Sequence, residues 1–67
     1  MQEYHVGDRV YLTFSEALGE TGVVVETGVE TFTEGYIKSY DYVDVRLDTG
    51  ERTGRIPSTL VALEIYG

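Results

Sequence analysis

The stretch Tyr42-Val43-Asp44-Val45-Arg46-Leu47-Asp48-Thr49-Gly50 decides the fold class. Val43, Val45 and Leu47 alternate with Asp44 and Arg46, the period of two that turns one face of a β-strand to a core and the other to water. Asp48-Thr49-Gly50 fits a type I turn followed by a left-handed glycine, a common three-residue hairpin connection. Arg52 to Ile56 reads as the returning strand, although its alternation is too poor to assign its faces. Pro57 ends that strand, because proline lacks the N–H a ladder needs. Pro57-Ser58-Thr59-Leu60 suits a single 3₁₀ turn, and Val61 to Tyr66 supplies a closing strand.

The N-terminal half carries the same signal. Asp8-Arg9-Val10-Tyr11-Leu12-Thr13-Phe14 sets Val10, Leu12 and Phe14 on one face and Arg9, Tyr11 and Thr13 on the other. Val6-Gly7-Asp8 is its turn entry, and Ser15 to Glu20 is a loop. Thr21 to Phe32 reads as a long strand or a bent pair. Its odd positions (Val23, Val25, Thr27, Val29, Thr31) make the expected inner face, and Glu26 and Glu30 point outward. The four-residue spacing of Glu26, Glu30 and Glu34 also fits a helical stripe, but Gly22, Gly28 and seven β-branched residues in twelve favour strand. Gly28 suits a bulge or a barrel corner. Thr33 to Ser39 reads as a loop with Gly35 at its tip. Residues 1–67 thus read as a single all-β domain: one five-stranded barrel with a 3₁₀ turn before its last strand.

A chain of 67 residues buries only about 60% of the surface its unfolded form exposes, so its stability margin is narrow. It has no cysteine and one histidine, His5, which excludes disulfides, thiolate sites and a histidine-built zinc centre. No apolar run approaches the roughly 20 residues of a membrane span, and no signal peptide is expected in residues 1–15; a cytoplasmic location is the expectation. Twelve acids against five bases give a net charge of −7. Residues 1–37 hold seven acids and one base, Arg9, for a net −6, and residues 38–67 hold five acids and four bases, for a net −1. A nucleic-acid backbone is repelled by such a half, whereas a basic protein is attracted.

Val6-Gly7-Asp8-Arg9-Val10, followed by Gly19-Glu20-Thr21-Gly22-Val23-Val24-Val25-Glu26, resembles the KOW motif, in which a Gly-Asp-x-Val strand leads through a loop to Gly-x-x-Gly-x-Val. Val45 to Gly50, then Ile56-Pro57 to Leu60 and Leu63-Glu64, is similar to the last three strands of a Src-homology-3-like barrel. The pattern is also similar to small accessory proteins of tailed actinobacterial phages. These resemblances imply the barrel but do not choose its role, since barrels of this type serve in ribosomal proteins, transcription elongation factors, chromatin readers, enzyme accessory domains and small phage proteins. Nucleic-acid-binding members carry basic residues in the loop between the first two strands, where this chain has Ser15-Glu16-Ala17-Leu18-Gly19-Glu20, with two acids and no base.

No nucleophile, metal-binding or phosphate-cradling motif stands out, so no enzyme, metal or cofactor is expected. The aromatic content is the better lead. Six tyrosines are present, and Tyr36, Tyr40 and Tyr42 crowd one loop and its exit. By parity Tyr40 and Tyr42 point opposite to Val43, Val45 and Leu47. Exposed tyrosine is a favoured interface residue, offering large area with little side-chain entropy to lose. The expected contact patch is Tyr36, Tyr40 and Tyr42, with Tyr11 beside it and Glu34, Asp41 and Asp44 as a polar rim. The leading expectation is a non-catalytic protein-binding module, in the form of a phage accessory protein that engages a host protein. The alternatives are a KOW-like domain associated with nucleic acid or the ribosome, and a structural homo-oligomer.

Overall fold

A computed structural model describes residues 4–33 and 35–64. Five strands form: β1 (Arg9–Leu12), β2 (Thr21–Thr33), β3 (Ile37–Leu47), β4 (Arg52–Pro57) and β5 (Val61–Leu63). They make one antiparallel sheet in the order β4-β3-β2-β1-β5. Short 3₁₀ turns occupy Ser15–Ala17 and Ser58–Leu60, the second where the proline-led turn is expected. The sheet's two end strands, β4 and β5, form no ladder with each other among the described residues.

Val10, Leu12, Val24, Val43, Val45 and Val61 form the buried core, with Tyr4, Phe14, Ala17, Leu47 and Ile56 packed against it. Ile56 and Val61 come from opposite ends of the strand order, so the sheet must curl to bring them to one cluster. The Tyr4 hydroxyl donates to the Val61 carbonyl at 2.9 Å and ties the entry segment to the last strand. Gly22 permits the tightest approach: a Cβ there would run into the Arg46 carbonyl oxygen and would also lie 2.8 Å from Leu47 Cα and Val45 Cγ1.

The expected inner face of β2 is corrected. The register slips between Val24 and Glu26, opposite Val45 and Asp44, so Val25 is the extra residue of a bulge. Before the bulge the inward positions are even: Val24 pairs with Val45 and both are fully buried. Val23, expected inside, is on the other face. After the bulge the inward parity becomes odd, since Thr27 pairs with Val43. Val29 then shares the core's side of the sheet but lies beyond the core and is exposed. The bulge sits at Val25 and not at Gly28. Between Asp44 and Arg46 a second irregularity explains why β4 resists face assignment: Gly54 takes φ +74°, and the Thr53 hydroxyl accepts from the Val45 N–H at 3.1 Å.

The expected loop over Thr33 to Ser39 is also shorter than its sequence suggests. β2 continues to Thr33 and β3 begins at Ile37, with register pairs from Val29↔Asp41 to Thr33↔Ile37. The last strand ends at Leu63 within the described residues, and its expected extension to Tyr66 reaches residues outside them.

Candidate interaction surface

β1 pairs with β2 only over Thr21 to Val23, and β4 pairs with β3 only over Tyr42 to Arg46. Beyond those points β2 and β3 run on together as a two-stranded arm. Its five cross-strand pairs, Val29↔Asp41 to Thr33↔Ile37, extend roughly 17 Å at the usual rise per residue. The arm gives the molecule extents of 42 × 24 × 19 Å and a radius of gyration of 12.4 Å, against about 11 Å for a compact chain of this length.

The arm concentrates apolar surface. Val29 is 61% exposed, Phe32 40%, Tyr36 63% and Ile37 75%. These four, within nine residues, are half of the eight large hydrophobic side chains exposed among the described residues. Singly scattered exposed hydrophobics are ordinary, whereas a cluster marks a contact surface. Phe32 and Tyr40 share the face opposite the core and pack edge to face, with ring centroids 6.1 Å apart. Val29 and Ile37 lie on the other face, where the Thr31 and Ser39 hydroxyls meet at 3.2 Å.

An ion-pair latch fixes the arm's base. Arg55 on β4 reaches across β3 to Glu26 and Glu30 on β2, each at 3.0 Å, and its guanidinium lies 4.7 Å from the centroid of the Tyr42 ring. The Tyr42 hydroxyl donates to Glu26 Oε2 at 2.7 Å. That bond, with the Arg55 charge, holds the Glu26 carboxyl below its ordinary range, and it keeps the proton on Tyr42 to higher pH. Gly28 lies under the ring; a Cβ there would sit 2.7 Å from Tyr42 Cε2 and the hydroxyl.

The expected patch is therefore split. Tyr36 is exposed at the hairpin connection, and Tyr40 is half-buried against Phe32. Asp41 is half-buried on the core's side of the sheet, paired with Val29. Tyr42 points away from the core as parity requires, yet it is only 6% exposed, because Gly28, Glu26 and Arg55 enclose it. Asp44 is likewise buried and grips Arg52 through both carboxylate oxygens, at 3.1 and 2.6 Å. That bidentate bond pulls its carboxyl below the ordinary range. Neither residue belongs to a rim that a partner meets first. Tyr11 is exposed on β1, but it pairs with Thr21, nine residues along β2 from the Tyr40 partner Glu30, or roughly 30 Å away. Glu34 lies outside the described residues. Phe32, Ile37 and Val29 join the surface without having been singled out in the sequence; reading the strand pairing through to Ile37 is the signal that finds them.

At the other end of the molecule a depression of about 440 Å³ is lined by Arg9, Val23, Arg46 and Asp48 among others. Its charges are largely engaged with one another. Arg9 donates two bonds to Asp48 at 2.9 Å and also meets Glu64 at 3.3 Å, while the Thr21 hydroxyl donates to Asp48. These bonds, Arg9's first, draw the Asp48 carboxyl down to about 2. No group of three or more potential metal ligands converges among the described residues. No helix of the described residues is long and apolar enough to cross a membrane. No family model, curated protein or solved structure matches the chain significantly.

Proposed function

We propose that this chain is a non-catalytic protein-binding module that presents the β2–β3 arm to a partner. The observation that carries the reading is the run of exposed Val29, Phe32, Tyr36 and Ile37 on a projection that no other strand covers among the described residues. The strand order and the 3₁₀ turn before β5 fit a Src-homology-3-like barrel related to KOW domains, in which the arm is an elongated central hairpin. An accessory protein of a tailed phage acting on a host protein is the biological form that the sequence likeness suggests.

Charge supports a basic protein as partner over a nucleic acid. The chain carries −7, and three of its five bases are held in carboxylate pairs: Arg9 by Asp48 and Glu64, Arg52 by Asp44, Arg55 by Glu26 and Glu30. Opposite charge steers encounter, and the apolar tip supplies the contact. Affinity purification from host lysate, with mass spectrometry, identifies candidate partners, whose binding to purified protein is then measured directly. Binding should weaken at least about tenfold, or 1.4 kcal/mol, in the Tyr36→Ser, Ile37→Ser double variant and persist in Tyr11→Ser. Equal binding by the double variant means that the arm is not the site.

A further inference from the structure

The outer edge of the arm, on the side of β2 away from β3, suits a second strand. The last backbone bonds that β2 makes on that side with described residues near β1 are at Val24, which donates to the Asp8 carbonyl at 2.9 Å and accepts from the Gly7 N–H at 2.8 Å. Beyond them, Val29-Glu30-Thr31-Phe32-Thr33 pairs with β3 on one side and with no strand on the other among the described residues. Natural proteins guard such an edge with lysine, proline, a bulge or a covering segment. This stretch holds no lysine and no proline, its register with β3 is regular, and its one charge, Glu30, is already bound by Arg55. Four of its five residues are β-branched or aromatic, the types that favour strand pairing. The arm's opposite edge, on β3, does carry a guard, Lys38. A two-stranded ribbon is also marginal on its own and gains from further strands.

We propose that two copies of this chain associate by antiparallel pairing of β2 with β2, with Thr31 on the two-fold axis. Symmetry narrows the register. A two-fold relating antiparallel neighbours stands normal to the sheet, so it passes through one residue position, and opposed residues share a face. Centring on Thr31 uses all five residues: Val29 faces Thr33, Glu30 faces Phe32, and Thr31 faces its own copy. Centring on Glu30 sets two carboxylates directly opposite, and centring on Phe32 pairs only three residues of the edge. In the Thr31 register the two Phe32 rings are diagonal neighbours about 7–8 Å apart. The product is a four-stranded sheet, β3-β2-β2-β3, whose outer face carries two Phe32–Tyr40 pairs. This association goes beyond the partner-binding reading and does not depend on it.

The test is sedimentation velocity on the intact chain, from about 10 µM to about 1 mM, since mass action drives assembly. The mass should rise from 7.5 kDa to twice that value. It should rise more readily at high salt, which screens repulsion between two acidic copies; binding to a basic partner has the opposite salt dependence. Thr31 is exposed, so Thr31→Lys and Thr31→Glu leave the fold intact, as circular dichroism checks. Each alone places like charges on the axis and should stay monomeric, whereas an equimolar mixture pairs lysine with glutamate and should restore the dimer. A wild-type chain of single mass at 1 mM overturns the proposal, as does a dimer that persists in Thr31→Lys or a mixture that remains monomeric. Both variants keep Tyr36 and Ile37, so loss of self-association with retained partner binding separates this proposal from the preceding one.

Discussion

Replacing Gly28 with alanine tests how the arm is joined to the body. The Gly28 backbone does not have positive φ, so alanine costs nothing in conformation. Space is the obstacle: its Cβ would lie 2.7 Å from Tyr42 Cε2 and hydroxyl, where ordinary contact begins near 3.5 Å. The ring must therefore move by most of an ångström. That motion pulls the hydroxyl from Glu26 and the ring face from under Arg55. Overpacking of this kind costs about 1–3 kcal/mol, in a domain whose whole stability is about 3–10 kcal/mol for its length. At about 4–8 °C per kcal/mol, Gly28→Ala should melt roughly 5–20 °C below wild type. The Tyr42→Ala background should remove the cost and reverse its sign. With no ring to meet, alanine restricts the unfolded chain and stabilises by up to about 1 kcal/mol. Thermal melts of the four proteins of this double-mutant cycle measure the coupling. An equal loss in both backgrounds would refute the steric account.

Two further outcomes follow from the packing and charge. Gly22→Ala should destabilise more than Gly28→Ala, because its Cβ meets the Leu47 backbone at 2.8 Å instead of a movable ring; denaturant titration of both variants ranks them. Asp48, Glu26 and Asp44 all have folded-state pKa values below their unfolded ones, Asp48 at about 2. Their contribution is therefore complete above about pH 5, just over the unfolded carboxylate range, and is lost as pH falls toward 2. Melting temperature should drop across that window, and Asp48→Asn should flatten part of the drop.

The elements were more legible in the sequence than their faces. Alternation in Val10–Leu12 and Val43–Leu47 is strong because neither stretch contains an extra residue and each turns its apolar side chains to the core. Period two fails wherever an extra residue enters a strand, and both irregularities, at Val25 and beside Gly54, fall where the expected faces were wrong or unassigned. Gly28 was noticed, but its use is as floor for an aromatic ring and not as a bend. The tyrosine patch was half legible for a related reason. Parity tells which side of a sheet Tyr42 occupies, but not that Arg55, thirteen positions on, closes over it. Ile37 was hidden because a polar connection, Glu34-Gly35-Tyr36-Ile37-Lys38-Ser39, looks the same whether the strands end early or run on.

The extra residue at Val25 lets the numbering change parity while the strand keeps its side. Deleting it would join Val24 directly to Glu26, still opposite Val45 and Asp44, so every side chain of the arm would keep the face it has now. What would go is the local bend and added twist that a bulge brings. That one residue sets the direction in which the arm is aimed, and leaves what it displays untouched.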